Sequence, residues 1–533
     1  MTAGLPAAGS AVAGDNRGGT TVRNRQGEQA MRIRVGNRRG LLLAAGALVL
    51  LAVSALLVAV TAGTPRVRGG SAQAASVASA PGGAPADAPP SGTTGTVGAP
   101  GAGDPYYPTD GNGGYDVTAY DLALRYDPPS RQLSGEATIS ARALSPLSRF
   151  NLDLTGLEVS AVRVNDHPAT FTREGDHELV IQPADLLPAG DFRVSVRYSG
   201  SPVTLDDALG RGGWQISASG GAFVAGQPHS ATTWFPANDT PGDKAAFRIA
   251  LDVPDGWSVV ANGVPAGETS ADGWTTHTWV EQTPMATYLS TVIIDRLSVV
   301  RSQLPDGTPV VDAYAPGAEG KKALADRLPE VLAFLSEKFG AYPQRAAGGI
   351  FLAEDISFSL ETQTRPTYAQ WTDLGTIVHE NAHQWFGDSV SVSRWADICL
   401  NECLASYAEW LWAEGEDGTD LDARYRSQVR SHASDQRFWA RRLVDMGAGH
   451  EFEGVYDKGV LAMHALRRQV GDQAFFTALR TWAAVHRDGN ATWSEFESHL
   501  EQAAGQQLDG FFAAWFRAAE VPADEYLWPA SLR

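Results

Sequence analysis

One short motif constrains this chain more than any other feature: His379, Glu380 and His383, followed eighteen residues later by Glu402. On a helix, residues four apart lie on one face, so His379 and His383 can bind one metal ion. Glu402 falls in a second predicted helix and supplies a third ligand. Three protein ligands of this kind leave one coordination position open, which is typical of a catalytic zinc. Glu380 is offset from both histidines and is therefore predicted to act as a general base. The motif thus predicts one catalytic Zn2+.

The two predicted zinc helices are bounded by their own sequence. Gly387 ends the first helical run, and residues 395–412 form a second one rich in Leu, Ala, Glu and Trp. The chain's two cysteines, Cys399 and Cys403, lie four apart on that second helix. They form no disulfide framework, and we expect two small buried side chains. A role for Cys403 as a fourth zinc ligand stays open as the alternative.

The N-terminal part of the chain has the composition of a targeting region. Residues 1–40 form a basic segment, predicted to be cytoplasmic, and residues 41–62 form an uncharged apolar run long enough to span a bilayer. We expect a single-pass cell-membrane protein with its catalytic body outside the cell. Cleavage near Ala62 is the alternative and would secrete the body, and the true start is either Met1 or Met31.

The remainder divides by composition into three further segments. Residues 63–112 are mostly Ala, Gly, Pro, Ser and Thr, so they are predicted to form a disordered linker. Residues 113–304 show short alternating runs broken by turn residues, which favours a β-sandwich-like domain of antiparallel sheets. Residues 305–533 carry the helical patterns. The fold class is therefore predicted to be α+β and multidomain, and the net charge of −19 argues against a nucleic-acid partner.

Two stretches outside the helices suggest binding surfaces. Residues 348–368 are predicted to form a strand and loop just before the first zinc helix, where a strand could bind an extended peptide through its backbone. Residues 227–241 are too rich in polar and turn residues for an ordinary strand. Polar loops on a rigid scaffold often carry binding residues.

Taken together, these motifs resemble the aminopeptidase N family of zinc exopeptidases over roughly residues 113–520. The zinc motif has the family's eighteen-residue gap. Glu361, with Tyr368 seven residues later, is similar to the family's G-x-M-E-N segment. Gln227, ahead of the Phe-Pro pair at 235–236, is similar to the family's amine-binding Gln or Glu. Tyr456, in the run Tyr-Asp-Lys-Gly, is similar to the family's tyrosine motif.

The resemblance implies a role for each of these residues. Glu361 and Gln227 would accept hydrogen bonds from the free ammonium group of a peptide, and Tyr456 would donate its hydroxyl to the oxyanion. The implied fold is a β-rich N-terminal domain followed by a mainly helical, thermolysin-like catalytic domain. The larger helical C-terminal domain of many members is not matched, which implies a more open cleft.

The sequence departs from the family pattern at several positions. Phe358 stands where G-x-M-E-N has its first Gly, and Thr362 stands where it has Asn. Phe358 is expected to narrow or redirect the cleft. Cys399 and Cys403 also replace family residues. None of these changes removes a predicted ligand, the base or the tyrosine, so we expect altered specificity rather than lost activity.

The function predicted from the sequence is a zinc aminopeptidase that hydrolyses the N-terminal residue from peptides outside the cell. The first alternative is a catalytically altered or inactive family member that acts as a surface peptide-binding protein. The second is a zinc hydrolase of the same fold with a non-peptide or internal-peptide substrate. The intact motif residues disfavour the first, and Glu361 and Gln227 disfavour the second.

Overall fold

The computed structural model describes residues 95–207 and 210–533. The strands among them are β1 (Thr96–Val97), β2 (Tyr115–Asp127), β3 (Gln132–Ala143), β4 (Leu147–Asp153), β5 (Glu158–Val164), β6 (His167–Pro168), β7 (Thr170–Glu174), β8 (Glu178–Gln182), β9 (Gly190–Gly200), β10 (Thr204–Asp207), β11 (Gly210–Ile216), β12 (Ala222–Ala225), β13 (Lys244–Pro254), β14 (Ser258–Ala261), β15 (Val264–Ala271), β16 (Trp274–Ala286), β17 (Val292–Asp295), β18 (Ser298–Gln303), β19 (Pro309–Tyr314), β20 (Ala347–Phe351), β21 (Thr367–Tyr368), β22 (Val390–Val392) and β23 (Gly489–Ala491).

The first seventeen strands form three sheets. The largest has eight strands in the order β15-β16-β13-β2-β3-β9-β5-β6, the second has the order β10-β11-β12-β17-β14, and the third has the order β1-β4-β8-β7. Most neighbours are antiparallel, as predicted, although β2 runs parallel to β13 and β1 runs parallel to β4. Residues of β2 alternate between buried and exposed, so Leu122 and Leu124 enter the core while their neighbours face solvent.

Helices dominate the second half of the chain. Those among the described residues are α1 (Lys322–Ala325), α2 (Leu328–Phe339), α3 (Leu374–Ala382), α4 (Cys399–Asp417), α5 (Leu421–Ser431), α6 (Gln436–Ala440), α7 (Lys458–Val470), α8 (Asp472–Val485), α9 (Trp493–Ala504), α10 (Asp509–Phe512) and α11 (Asp524–Leu527). The sheet-rich domain followed by a helical domain confirms the predicted fold class. A fourth sheet, β18-β19-β20-β21, precedes the zinc helices, and β22 pairs with β23.

The helical run over residues 322–339 consists of two helices, α1 and α2. Pro329 stands in the first turn of α2, where a residue without a backbone N–H is tolerated. Helix α2 ends at Gly340, which has a φ of 102° that favours glycine. Thr492 and Glu495 form a complete capping box at the start of helix α9.

Residues 95–112 differ from the predicted linker. They lie on the folded body: β1 pairs with β4, and an Asp104 carboxylate oxygen accepts a hydrogen bond of 2.8 Å from the Trp395 backbone N–H. The hydroxyl of Tyr106 contacts Asp445 at 3.1 Å. The composition of the segment is that of a tether, but the side chains of Asp104 and Tyr106 bind residues of the helical domain. The remaining linker residues, 63–94, lie outside the described residues.

The structure contradicts the membrane location predicted from the sequence. Among residues 95–207 and 210–533, no helix is long and apolar enough to cross a bilayer. A membrane-spanning helix needs about 20 predominantly apolar residues. Helix α4 has 19 residues, but it includes Glu402 and Glu409. The segments on which the prediction rested, 1–40 and 41–62, lie outside the described residues.

Candidate active site

Two packed helices, α3 and α4, carry the predicted zinc ligands. Helix α3 begins at Asp373, whose carboxylate accepts a hydrogen bond of 3.0 Å from the Thr376 backbone N–H. His379 lies in its last turn. His383 is the first residue beyond the helix and keeps near-helical backbone angles, φ −61° and ψ −23°. The four-residue spacing therefore still places both imidazoles on one side, facing Glu402 of α4.

The three predicted ligands converge on one point. The Nε2 atoms of His379 and His383 are 3.1 Å apart, and each lies 3.4 Å from the same Glu402 carboxylate oxygen. A tetrahedral zinc site with bonds of about 2.0–2.2 Å places its ligand atoms about 3.3–3.6 Å apart. All three residues are at most 2% exposed. The spacing and the donor types therefore fit a zinc ion.

Each histidine is oriented by its second ring nitrogen. Nδ1 of His379 lies 2.9 Å from a carboxylate oxygen of Glu409, and Nδ1 of His383 lies 2.9 Å from the Phe386 carbonyl oxygen. Both oxygens accept hydrogen bonds, so each Nδ1 carries a proton, and in the neutral ring that binds a metal each Nε2 presents its lone pair.

Replacing Glu409 by Ala is expected to weaken zinc binding by about 10–100-fold, because His379 loses the acceptor that fixes its tautomer. Competition with a chelator of known affinity measures the change. Glu409 is one-third exposed, so the variant should fold. The exposed Glu416 on the same helix provides the matched control, and Glu416→Ala should bind zinc as wild type does. Equal affinity in both variants would contradict the role of Glu409.

The electrostatic environment of the three predicted ligands favours positive charge. Burial alone would lower the pKa of His383, but the carboxylates of Glu402 and Glu361 raise it to about 8. Conversely, burial would raise the pKa of Glu402, but the imidazoles of His383 and His379 hold it at about 2. Such opposed shifts are typical of functional sites, and here they suit a cation.

Glu380 and Tyr456 flank the metal position from different elements. A carboxylate oxygen of Glu380 lies within 4.8 Å of ligand atoms of His383 and Glu361. Burial raises the pKa of Glu380 to about 8, against the effect of the nearby imidazoles. Tyr456 precedes α7, and its ring centroid lies 6.0 Å from that of His379. Burial and the Glu402 carboxylate raise the pKa of the Tyr456 hydroxyl well above its usual value, so it is a hydrogen-bond donor at neutral pH.

A second cluster lies beside the metal position and joins the two domains. The side-chain amide of Gln227 donates a hydrogen bond of 3.2 Å to Glu361, and the hydroxyl of Tyr288 donates another of 3.2 Å to the same oxygen. Asn401 of α4 approaches the Tyr288 hydroxyl at 3.5 Å. The structure therefore brings together Gln227 and Glu361, which are 134 residues apart in the chain.

Sequence reasoning missed two residues of this site. Glu409 follows Glu402 by seven residues, or two helical turns, so its position on the same face of α4 was a readable signal. Tyr288 gave no such signal, because its contact with Glu361 depends on the packing of two domains. The strand–loop prediction for residues 348–368 agrees with β20 and β21, which pair in parallel just before α3.

Three departures from the family pattern, Phe358, Cys399 and Cys403, are buried in the core. Phe358 is 4% exposed and belongs to the main hydrophobic cluster. Cys399 and Cys403 are fully buried, as expected, but they are joined by a disulfide, which corrects the prediction of two free thiols. One helical turn brings their Cα atoms to 4.8 Å, within the range that a disulfide spans. Cys403 is therefore not available as a fourth zinc ligand in this structure.

The fold and the three-ligand centre define the class of the protein, a zinc metallopeptidase. The chain belongs to peptidase family M1: residues 117–289 match the Peptidase M1 N-terminal domain and residues 347–515 match the Peptidase family M1 domain. This confirms the resemblance found in the sequence and the zinc cofactor that it implies.

Solved structures of this family cover most of the chain. It is 30% identical to an M1 zinc metallopeptidase from Deinococcus radiodurans, with a TM-score of 0.72 over 79% of this chain and 97% of that one. A two-domain M1 zinc metallopeptidase bound to L-arginine is 31% identical, with a TM-score of 0.71 over 76% of this chain and 94% of that one.

Curated relatives are longer. Aminopeptidase M1-C of Oryza sativa subsp. japonica is 25% identical over 443 residues, which are 76% of this chain and 49% of the relative. Aminopeptidase N of Streptomyces lividans is 27% identical over 54% of this chain and 37% of its own length. The chain thus spans about half the length, or less, of these relatives.

Proposed function

We propose that this protein is a zinc-dependent aminopeptidase that removes the N-terminal residue from peptides with a free amino group. The observation that carries the proposal is the placement of Glu361 beside the metal ligands. Its carboxylate lies within 4.8 Å of ligand atoms of Glu380 and His383, and Gln227 contacts it. A buried carboxylate at this position would bind a substrate ammonium at a fixed distance from the scissile carbonyl.

The chain's own residues supply the remaining steps. Zinc, held by His379, His383 and Glu402, would polarise the scissile carbonyl and acidify a water molecule. Glu380 would accept a proton from that water as the water oxygen bonds to the carbonyl carbon. It would then pass this proton to the leaving amine as the C–N bond breaks. Tyr456 would donate a hydrogen bond to the carbonyl oxygen as negative charge develops there.

Relatives support a peptide as the substrate. The Deinococcus radiodurans enzyme has been crystallised, as an alanine mutant, with a Tyr-Ser-Ala substrate, and curated relatives are named aminopeptidases. The intact set of metal ligands, base and tyrosine supports hydrolysis over the alternative of a peptide-binding protein without activity.

The proposal is tested with short peptides offered in free and N-acetylated pairs to the zinc-loaded protein. We expect release of the N-terminal residue from the free peptides only, because an acetylated end has no ammonium to bind Glu361. Cleavage of both members of a pair would contradict the exopeptidase assignment. Binding of peptides without cleavage would favour the inactive alternative.

The Glu361→Ala variant tests whether the Glu361 carboxylate binds the substrate ammonium group. It is expected to raise KM for free peptides by about tenfold or more, the effect of losing one charged hydrogen bond of about 1.5–3 kcal/mol. The discrimination against acetylated peptides should fall with it. The exposed Asp355→Ala is the control in the neighbouring loop and should leave both constants unchanged.

A further inference from the structure

A second group of metal-ligating side chains lies in the sheet-rich domain. Ligand atoms of Asp153, His177 and Glu178 are within 4.8 Å of one another. Asp153 ends β4 and Glu178 begins β8, and the two residues are directly opposite in the antiparallel pair. Like charges placed opposite one another across two strands destabilise the pair. This arrangement therefore calls for a proton or a cation between the two carboxylates.

Burial makes the repulsion more costly. Asp153 is 0% exposed and Glu178 is 9% exposed. Burial raises the pKa of Asp153 well above its usual value, and the carboxylates of Asp239 and Glu178 raise it further. Burial likewise raises the pKa of Glu178, with only partial opposition from His177 and Asn151. The Asp153 carboxylate accepts hydrogen bonds from two backbone N–H groups and one side-chain amide, so the charge that lacks compensating partners is that of Glu178.

Unpartnered oxygens point to a missing ligand. Both carboxylate oxygens of Glu178 are buried and have no hydrogen-bond partner. Asn112 donates its side-chain N–H to Asp153 at 2.9 Å, and its own side-chain oxygen is also buried without a partner. A buried carboxylate without a donor costs free energy unless something binds it.

The histidine of the group has the tautomer that a metal ligand needs. Nε2 of His177 lies 2.9 Å from the Thr109 carbonyl oxygen, which can only accept, so Nε2 carries the proton. The lone pair is then on Nδ1, the nitrogen that remains for a metal ion. The side chain of His177 is 23% exposed, which gives the cluster access to solvent.

We propose that Asp153, His177 and Glu178 bind a second divalent cation, separate from the catalytic zinc. One imidazole nitrogen with two carboxylate oxygens suits a transition metal such as Zn2+ or Mn2+ better than Ca2+ or Mg2+. The site would also stabilise the segment that begins at Gln227, because the Asp239 backbone N–H donates a hydrogen bond of 2.9 Å to Asp153.

The test counts metal ions in the full chain. Metal-free protein is titrated with Zn2+ and, separately, with Mn2+ and Ca2+, and bound metal is measured after gel filtration. We expect about two Zn2+ per wild-type chain and about one in Glu178→Gln. The exposed neighbour gives the control, Asp176→Asn, which should keep both. In His383→Gln, which removes a catalytic ligand, about one Zn2+ should remain, so this result does not depend on the proposed peptidase function.

Three results would overturn the proposal. These are one Zn2+ in the wild type, two in Glu178→Gln, or none in His383→Gln. Binding of Ca2+ but of neither Zn2+ nor Mn2+ at the second site would overturn the assignment of a transition metal. If Glu178→Gln fails to fold, the partly exposed His177 offers a milder variant: His177→Gln should weaken the second Zn2+ by about 10–100-fold and leave the first unchanged.

Discussion

The Glu380→Gln variant is expected to bind zinc as wild type does and to hydrolyse peptides about 10³–10⁴ times more slowly. Glutamine has the shape of glutamate but cannot accept the proton of the attacking water or return it to the leaving amine. Glu380 is offset from the three residues that converge on the metal position, so the ligand set remains whole. The measurements are kcat on a free tripeptide and zinc content by elemental analysis.

Two controls separate lost chemistry from lost structure. The melting temperature of Glu380→Gln should stay close to that of wild type, and its Kd for a slowly cleaved peptide should also be retained. Glu380→Asp should recover part of kcat, because a shorter carboxylate still accepts a proton. A rise in KM with an unchanged kcat would show that Glu380 is not the base.

The His383→Gln variant is expected to lose the catalytic zinc and the activity that depends on it. Structural zinc sites bind with about 10–16 kcal/mol, or roughly 3 kcal/mol for each of four ligands, so losing one ligand should weaken binding by about 100-fold or more. At stoichiometric zinc, peptide hydrolysis should then fall to background. Zinc titration followed by activity is the measurement, and excess zinc should restore only part of the rate.

A chelator provides the same test without a substitution. Removing zinc from wild type should abolish hydrolysis, and adding zinc back should restore it. The exposed His450 offers a matched control, and His450→Gln should bind zinc and hydrolyse peptides as wild type does. Activity that survives complete removal of metal from the catalytic position would contradict the proposed mechanism.

The zinc centre was predictable from the sequence because its geometry is local. A four-residue spacing on a helix fixes the relation of His379 to His383, and α3 and α4 pack directly against each other. The strands were predictable for a similar reason, since alternation of apolar residues has a period of two. What these elements share is that a short stretch of chain determines them.

Contacts across the fold were not predictable in this way. Tyr288 meets Glu361 only because a 3-10 turn after β16 packs beside the catalytic domain. Residues 95–112 have the composition of a linker, and only the partners they find on the body, such as Trp395 for Asp104, order them. The resemblance to the family supplied Gln227 and Tyr456, whose positions no local pattern would have given.

The proposed amine-binding cluster, Glu361 with Gln227 and Tyr288, has a consequence for how this enzyme can diverge. Gln227 and Tyr288 come from the sheet-rich domain, whereas the predicted metal ligands and Glu380 all come from the helical one. If this cluster binds the substrate amine as proposed, substitutions in the first domain would change which peptide ends are accepted and leave the metal ligands and the base unchanged. Selectivity for the peptide end and catalysis of hydrolysis would then evolve through substitutions in different domains.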